Sequence, residues 1–237
     1  GLLRDKGFQY VKIDYNCCIG VGCDHPDGLG EGLRQNMQGT LRFFRRMREA
    51  VPGLMIENCA SGGHRLEPSL MGVSDMASFS DAHECPEIPI IAANLHRLIL
   101  PAQSQIWAVV RAEDSLRRIN YSIINTFLGV LCLSGDIEHL SPAQWTKVDE
   151  GIGFFKAVRH IIGGGVSAFH GKVSPAWRKP EGWQAVCRTL EGETLSVIHT
   201  FDGEHPAEVR LPVSGKRILR VMCSEDNQVR LEGGQLV

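Results

Sequence analysis

The sequence predicts an α/β region followed by a small antiparallel β domain, and three observations carry that prediction. Short apolar runs alternate with amphipathic stretches as far as residue 162, and strand, helix, strand at this spacing makes βαβ units around a parallel sheet. Gly163-Gly164-Gly165 then breaks the pattern. Beyond it, apolar and polar residues alternate between Gly, Asp and Pro turns, with no helical period. The predicted domains are therefore 1–162 and 163–237.

Taken in order, the predicted strands of the first domain are 7–13, 54–57, 75–79, 104–110 and 129–133. Each is a short run rich in Val, Ile, Phe, Met or Trp, the residues that suit a pleated, buried surface. Helices are predicted near 31–50, 65–72, 88–99, 114–127 and 142–161. Asp114 stands just ahead of one helical run, and Ser141-Pro142 combines a capping hydroxyl with a first-turn proline. In the second domain Trp183–Leu190, Thr194–Phe201, Ala207–Leu211 and Arg217–Met222 read as strands. Five consecutive βα units fit either an open doubly wound sheet or an eight-stranded barrel without its first three units. No GxGxxG follows any strand, which removes support for a dinucleotide site. A chain opening on Gly-Leu-Leu-Arg instead of Met favours the barrel reading, with the chain starting partway along it.

Composition narrows the function. A net charge of −2 supplies no polycationic surface for nucleic acid or an acidic membrane, and no apolar run reaches the roughly 20 residues that span a bilayer. None of the eight cysteines forms a CxxC pair. Cys132 and Cys187 lie in apolar runs, as reduced thiols of a cytoplasmic protein would. The cluster of Cys17, Cys18, Cys23, Asp24 and His25 matches no standard zinc spacing.

Polar residues gather where the strands end, which is where a parallel α/β fold builds its site. The first strand runs into Lys12-Ile13-Asp14-Tyr15-Asn16, the second into Glu57-Asn58-Cys59-Ala60-Ser61-Gly62-Gly63-His64-Arg65, and the third into Ser78-Phe79-Ser80-Asp81-Ala82-His83-Glu84. Asp14 and Asp81, on different strands, would face one cavity. Two carboxylates in unlike surroundings can divide a reaction between a nucleophile and a general acid/base. Lys12, on the same pleat face as Asp14, favours its ionised form. Asp81 would carry a proton when it meets the leaving-group oxygen. Cys59, Ser61, Arg65 and His83 offer hydrogen bonds to hydroxyl groups, and Gly62-Gly63 lets backbone approach a ligand. A rival arrangement would use Asp14, His25, Asp81 and His83 as metal ligands. A third reading is a catalytically silent sugar-binding fragment.

The ordered strings YVKIDYN, ENCASGGHR and SFSDAHE resemble family 36 of the glycoside hydrolases, the α-galactosidase family, over its C-terminal portion. The resemblance implies the last five strands, four to eight, of a (β/α)8 TIM barrel, then a small antiparallel β-sandwich domain. It also implies a retaining glycoside hydrolase that releases terminal α-linked galactose or N-acetylgalactosamine through a covalent glycosyl-enzyme, with no cofactor. Carried over by position, Asp14 resembles the nucleophile and Asp81 the acid/base, 67 residues on. Lys12, Asn16, Cys59, Ser61 and Gly62 resemble sugar contacts. The sequence departs from the family strings where Ile13 replaces a Trp, Cys17 replaces an Arg, and Ser78-Phe79 replace Trp-Thr. The expected partner is an α-galactoside oligosaccharide, with a second copy or a preceding segment covering the open edge of the first strand.

Overall fold

The computed structural model describes residues 2–16, 23–81, 86–173, 178–224 and 227–237. Backbone contacts divide it into two compact units, residues 1–81 and 82–237. The boundary expected after residue 162 thus falls inside the second unit, near the end of a long helix.

The first unit runs α1 (Leu2–Asp5), β1 (Tyr10–Asp14), α2 (Glu31–Ala50), β2 (Met55–Cys59), α3 (Pro68–Met71) and β3 (Met76–Ser78). Its strands are parallel, with β2 between β1 and β3. Helix α2 crosses from β1 to β2, and its apolar stripe explains why it does so. Leu41 and Phe44 are buried against Leu54, Ile56, Leu70 and Val73, with Val11, Ile13, Met37 and Met47 packed around them. Residues three and four apart share one face of a helix, so this stripe covers the sheet while Arg42, Arg45 and Arg46 stay outside. The N-terminus of α2 has left-handed Gly30 at its cap and no side-chain cap bond. Glu31 in the first turn offsets this by complementing the helix dipole, and Arg34 holds it through two contacts of 2.7 Å. Near its far end, Arg48 reaches Asp75 at 2.6 Å. Asp75 also accepts from the Ile56 N–H at 2.7 Å, so one carboxylate joins α2, β2 and the approach to β3.

The second unit contains α4 (Ile88–Leu95), β4 (Ser104–Val110), α5 (Leu116–Asn125), β5 (Val130–Gly135) and α6 (Pro142–Gly164). Strands β4 and β5 are parallel, registered from Gln105 opposite Val130 to Val110 opposite Gly135. Ser141 and Gln144 form a capping box on α6, with Pro142 in its first turn. On α5 the cap is Ser115, whose hydroxyl accepts from Arg118 N–H at 3.1 Å. Asp114, the residue singled out by sequence, accepts from Arg111 N–H at 2.8 Å instead.

The chain then forms β6 (Val166–Val173), β7 (Gly182–Leu190) and β8 (Glu193–Thr200), an antiparallel sheet with β7 central. Three two-residue strands make a second small sheet, β9 (Leu211–Pro212), β10 (Leu231–Glu232) and β11 (Gln235–Leu236). Both faces of β7 are covered. Ala185 and Cys187 pack with Leu211, Ile198 and Leu236. On the opposite face Gln184 donates to Pro89 O at 2.9 Å and Arg188 to Ile161 O at 3.2 Å.

The structure departs from expectation at three places in this region. Strand β6 was not expected, because Val166–Val173 pairs on one side only and its exposed face lacks a strict apolar alternation. Arg217–Met222, expected as a strand, forms none. Ile218, Leu219 and Val221 are exposed, and alternation alone cannot make a strand where no facing layer buries one side of it. Ala207–Leu211 likewise contributes only the start of β9.

Candidate functional site

The first unit brings the ends of its three strands together. Parallel register sets Lys12 opposite Glu57 and Asp14 opposite Cys59, while Glu57 lies opposite Met76. Because side chains alternate along a strand, Lys12, Asp14, Glu57 and Cys59 occupy one face. Lys12 Nζ is 3.4 Å from Glu57 Oε1 and 4.0 Å from Asp14 Oδ2. Glu57 is buried, and Tyr10 donates its phenol to the other oxygen of that carboxylate. Burial works against the charge on Lys12, but the Glu57 carboxylate, with smaller contributions from Cys59 and Asp14, holds the ammonium above its ordinary range. The same desolvation pushes the Cys59 thiol up, so Cys59 stays a neutral hydrogen-bonding group. Asp14 keeps 40% of its side-chain surface open.

Beyond β2 the chain turns sharply. Ser61 and Gly62 both have positive φ, 43° and 74°, and the Ala60–Gly63 bridge closes the turn. Asn16, two residues past Asp14, accepts from Ser61 N–H at 2.6 Å, which supports a non-glycine residue in a conformation that few adopt. Gly62 is required on two counts. Its φ is left-handed, and a Cβ would lie 2.6 Å from Ser80 Cα and 2.9 Å from Asp81 N. A Cβ on Gly63 would meet Phe79 O at 2.6 Å. The turn after β2 therefore lies directly on the backbone that carries Asp81, with only hydrogen where other residues place a side chain.

Arg65 closes the arrangement from behind. Its guanidinium lies 3.2 Å from the centre of the Tyr15 ring and donates to Tyr15 O at 2.8 Å and to Cys59 O at 3.3 Å. Asn58 donates to Arg65 O at 2.8 Å. Arg65 thus braces the ends of β1 and β2. Asp81 is exposed.

Of the residues singled out by sequence, Lys12, Asp14, Asn16, Cys59, Ser61, Gly62, Arg65 and Asp81 all belong to this unit. His83 lies outside the described residues, as do Cys17 and Cys18. His25 pairs instead with Asp27, Nδ1 to Oδ2 at 3.2 Å. Among the described residues no group of three His, Cys, Asp or Glu side chains is placed to hold a metal ion. Sequence reasoning placed Glu57 at a strand end but gave neither it nor Tyr10 a role. The available signal was an acid, Glu57, directly after the apolar run Leu54-Met55-Ile56, since a buried charge requires a partner.

No family profile matches the chain. It is 21% identical over 242 residues to α-galactosidase AgaA of Geobacillus stearothermophilus, covering 96% of this chain and 31% of that protein. Its fold is similar to an α-galactosidase from Lactobacillus brevis, with a TM-score of 0.73, 17% identity, and 99% of this chain matched to 32% of the other. A variant of the family 36 α-galactosidase AgaA, solved with 1-deoxygalactonojirimycin, gives a TM-score of 0.73 at 16% identity, with 100% of this chain on 32% of its length. The chain thus resembles a portion of the family 36 α-galactosidases and spans about a third of the length of these relatives. Among the described residues, no helix is long and apolar enough to cross a membrane.

Proposed function

We propose that this chain carries the two catalytic carboxylates of a retaining glycoside hydrolase acting on terminal α-linked galactose or N-acetylgalactosamine. Its five parallel strands then correspond to strands four to eight of a (β/α)8 barrel, and its two small sheets to the β-sandwich that follows. The observation that carries the reading is the contact of the Ser61–Gly63 turn with Phe79–Asp81, in the same unit as the Lys12–Asp14 strand end. With the Ser61 N–H donating to Asn16 at 2.6 Å, the three strand ends that resemble the family strings are linked.

Asp14, flanked by Lys12, attacks the anomeric carbon while Asp81 gives its proton to the departing glycosidic oxygen. The C–O bond to the aglycone breaks as the ester bond to Asp14 forms. Asp81, now a carboxylate, takes a proton from water, whose oxygen displaces Asp14 and releases the sugar with its original configuration. The two carboxyl groups of such a site stand about 5–5.5 Å apart when the sugar is bound. Cys59, opposite Asp14 in the β1–β2 register, and the Gly62 backbone, seated against Ser80 and Asp81, meet the sugar hydroxyls.

The test is turnover of 4-nitrophenyl α-galactoside, with 1-deoxygalactonojirimycin as inhibitor. Asp14→Gly should fall to background and, with azide, form β-galactosyl azide. Asp81→Gly with azide should give the α-azide, since azide then attacks the covalent intermediate. Full activity in Asp14→Gly would overturn the assignment. Binding of the inhibitor with no turnover in the parent chain would favour the silent sugar-binding reading.

A further inference from the structure

The second unit contains a recess of about 660 Å³ lined by Lys172, Trp183, Gly203, Glu204, His205 and Pro206. Lys172 and Trp183 are directly opposed in the β6–β7 register, so their side chains share one face. That face carries the core between the two small sheets, and Trp183 packs on the Ala185, Cys187 and Leu211 cluster. The indole is therefore fixed by the core on one side and lines the recess with the other. Among the described residues its N–H has no partner, and neither Lys172 nor Glu204 makes a hydrogen bond or ion pair. The recess thus combines a fixed aromatic plate, donors from indole and ammonium, and a carboxylate acceptor.

We propose that this recess is a second, non-catalytic binding site for an uncharged oligosaccharide. A pyranose ring offers an apolar C–H face and a rim of hydroxyls, each both donor and acceptor. The Trp183 plate suits the face, while the Lys172 ammonium and the Glu204 carboxylate suit the rim. Lys172 and Glu204 carry opposite charges, which favours a neutral ligand over an anion. The open shape admits an internal segment of a chain as well as its end. None of this depends on Asp14 or Asp81, which lie in the other unit.

The experiment labels the intact protein with 5-fluorotryptophan and follows the Trp183 resonance by fluorine NMR, assigned through Trp183→Phe. Raffinose, maltotriose and cellotriose are titrated with the candidate active site saturated by 1-deoxygalactonojirimycin. The expected result is a saturable shift of the Trp183 line with at least one of the three. Glu204→Ala and Lys172→Ala, on exposed positions that leave the core intact, should each weaken binding about three- to tenfold, the value of one hydrogen bond. These two variants carry the test if Trp183→Phe does not fold. The proposal is overturned if no trisaccharide moves that line. It is also overturned if both alanine variants bind as the parent does, or if the anionic trisaccharide sialyllactose binds as tightly as the neutral ones.

Discussion

Asn16 and Gly62 resemble sugar contacts, yet each also has a structural task in this chain. Asn16 accepts from the strained Ser61 at 2.6 Å, and Gly62 occupies a site with no room for a Cβ. Gly62→Ala combines left-handed strain with a 2.6 Å contact to Ser80, so the expected cost is at least about 2 kcal/mol in a urea titration. An unchanged midpoint would show that the β3 end yields freely. Glu57→Gln tests the other axis. It removes the carboxylate 3.4 Å from Lys12 Nζ, the chief influence holding that ammonium up against desolvation. Chemical denaturation should show a loss of about 1–3 kcal/mol. Much of this was legible from residue type. Lys12, Asp14 and Asp81 stood at strand ends, where charges in apolar runs call attention to themselves. The roles of Glu57 and Arg65 were not legible, because they depend on register between strands, and a single strand does not reveal its neighbour.

Among the elements, legibility followed the strength of the hydrophobic period. Helix α2 and strand β4 were bounded correctly because α2 carries a continuous apolar stripe over 20 residues and β4 is buried almost throughout. The short α3 starts later than expected, at Pro68, since the Glu67 side chain caps it by accepting from Ser69 and Leu70 N–H. Strands at the edge of the C-terminal sheets were poorly legible for the converse reason, as β6 has one covered side and Arg217–Met222 has none. The packing of α2 gives a sharp internal control. Phe44 is fully buried and its neighbour Phe43 is 54% exposed. Phe44→Ala should lose about 3–5 kcal/mol of stability, whereas Phe43→Ala should lose under about 1 kcal/mol. Equal losses, read from parallel thermal melts, would mean that Phe43 is covered in solution.

On the scale of the whole molecule, stability should depend on pH through a histidine of the second unit. His199 on β8 bonds Asn125 of α5 through Nε2 at 2.9 Å, and burial pushes its imidazole down to about 3. Unfolded, it titrates near its ordinary 6.5. As pH falls below about 6.5 the unfolded chain takes up a proton that the folded chain refuses, so stability declines toward pH 3 by about 1.4 kcal/mol per unit. His96, also lowered by burial, acts in the same direction. Melting temperatures measured from pH 7 to pH 5 should fall, and His199→Gln should flatten the slope. The alternation of strand and helix made the fold class legible over this length, but the two-unit division was not, because it reflects contacts spread along the chain with no single break in composition. The close seat of Gly62 and Gly63 on Phe79–Asp81 has a consequence for descent. Two strand ends are spaced there by main-chain atoms, which every residue possesses, so mutation of the surrounding side chains leaves the spacing intact. A lineage can exchange the side chains around this turn while the carriers of Cys59 and Asp81 keep their places, provided that the two glycines never change.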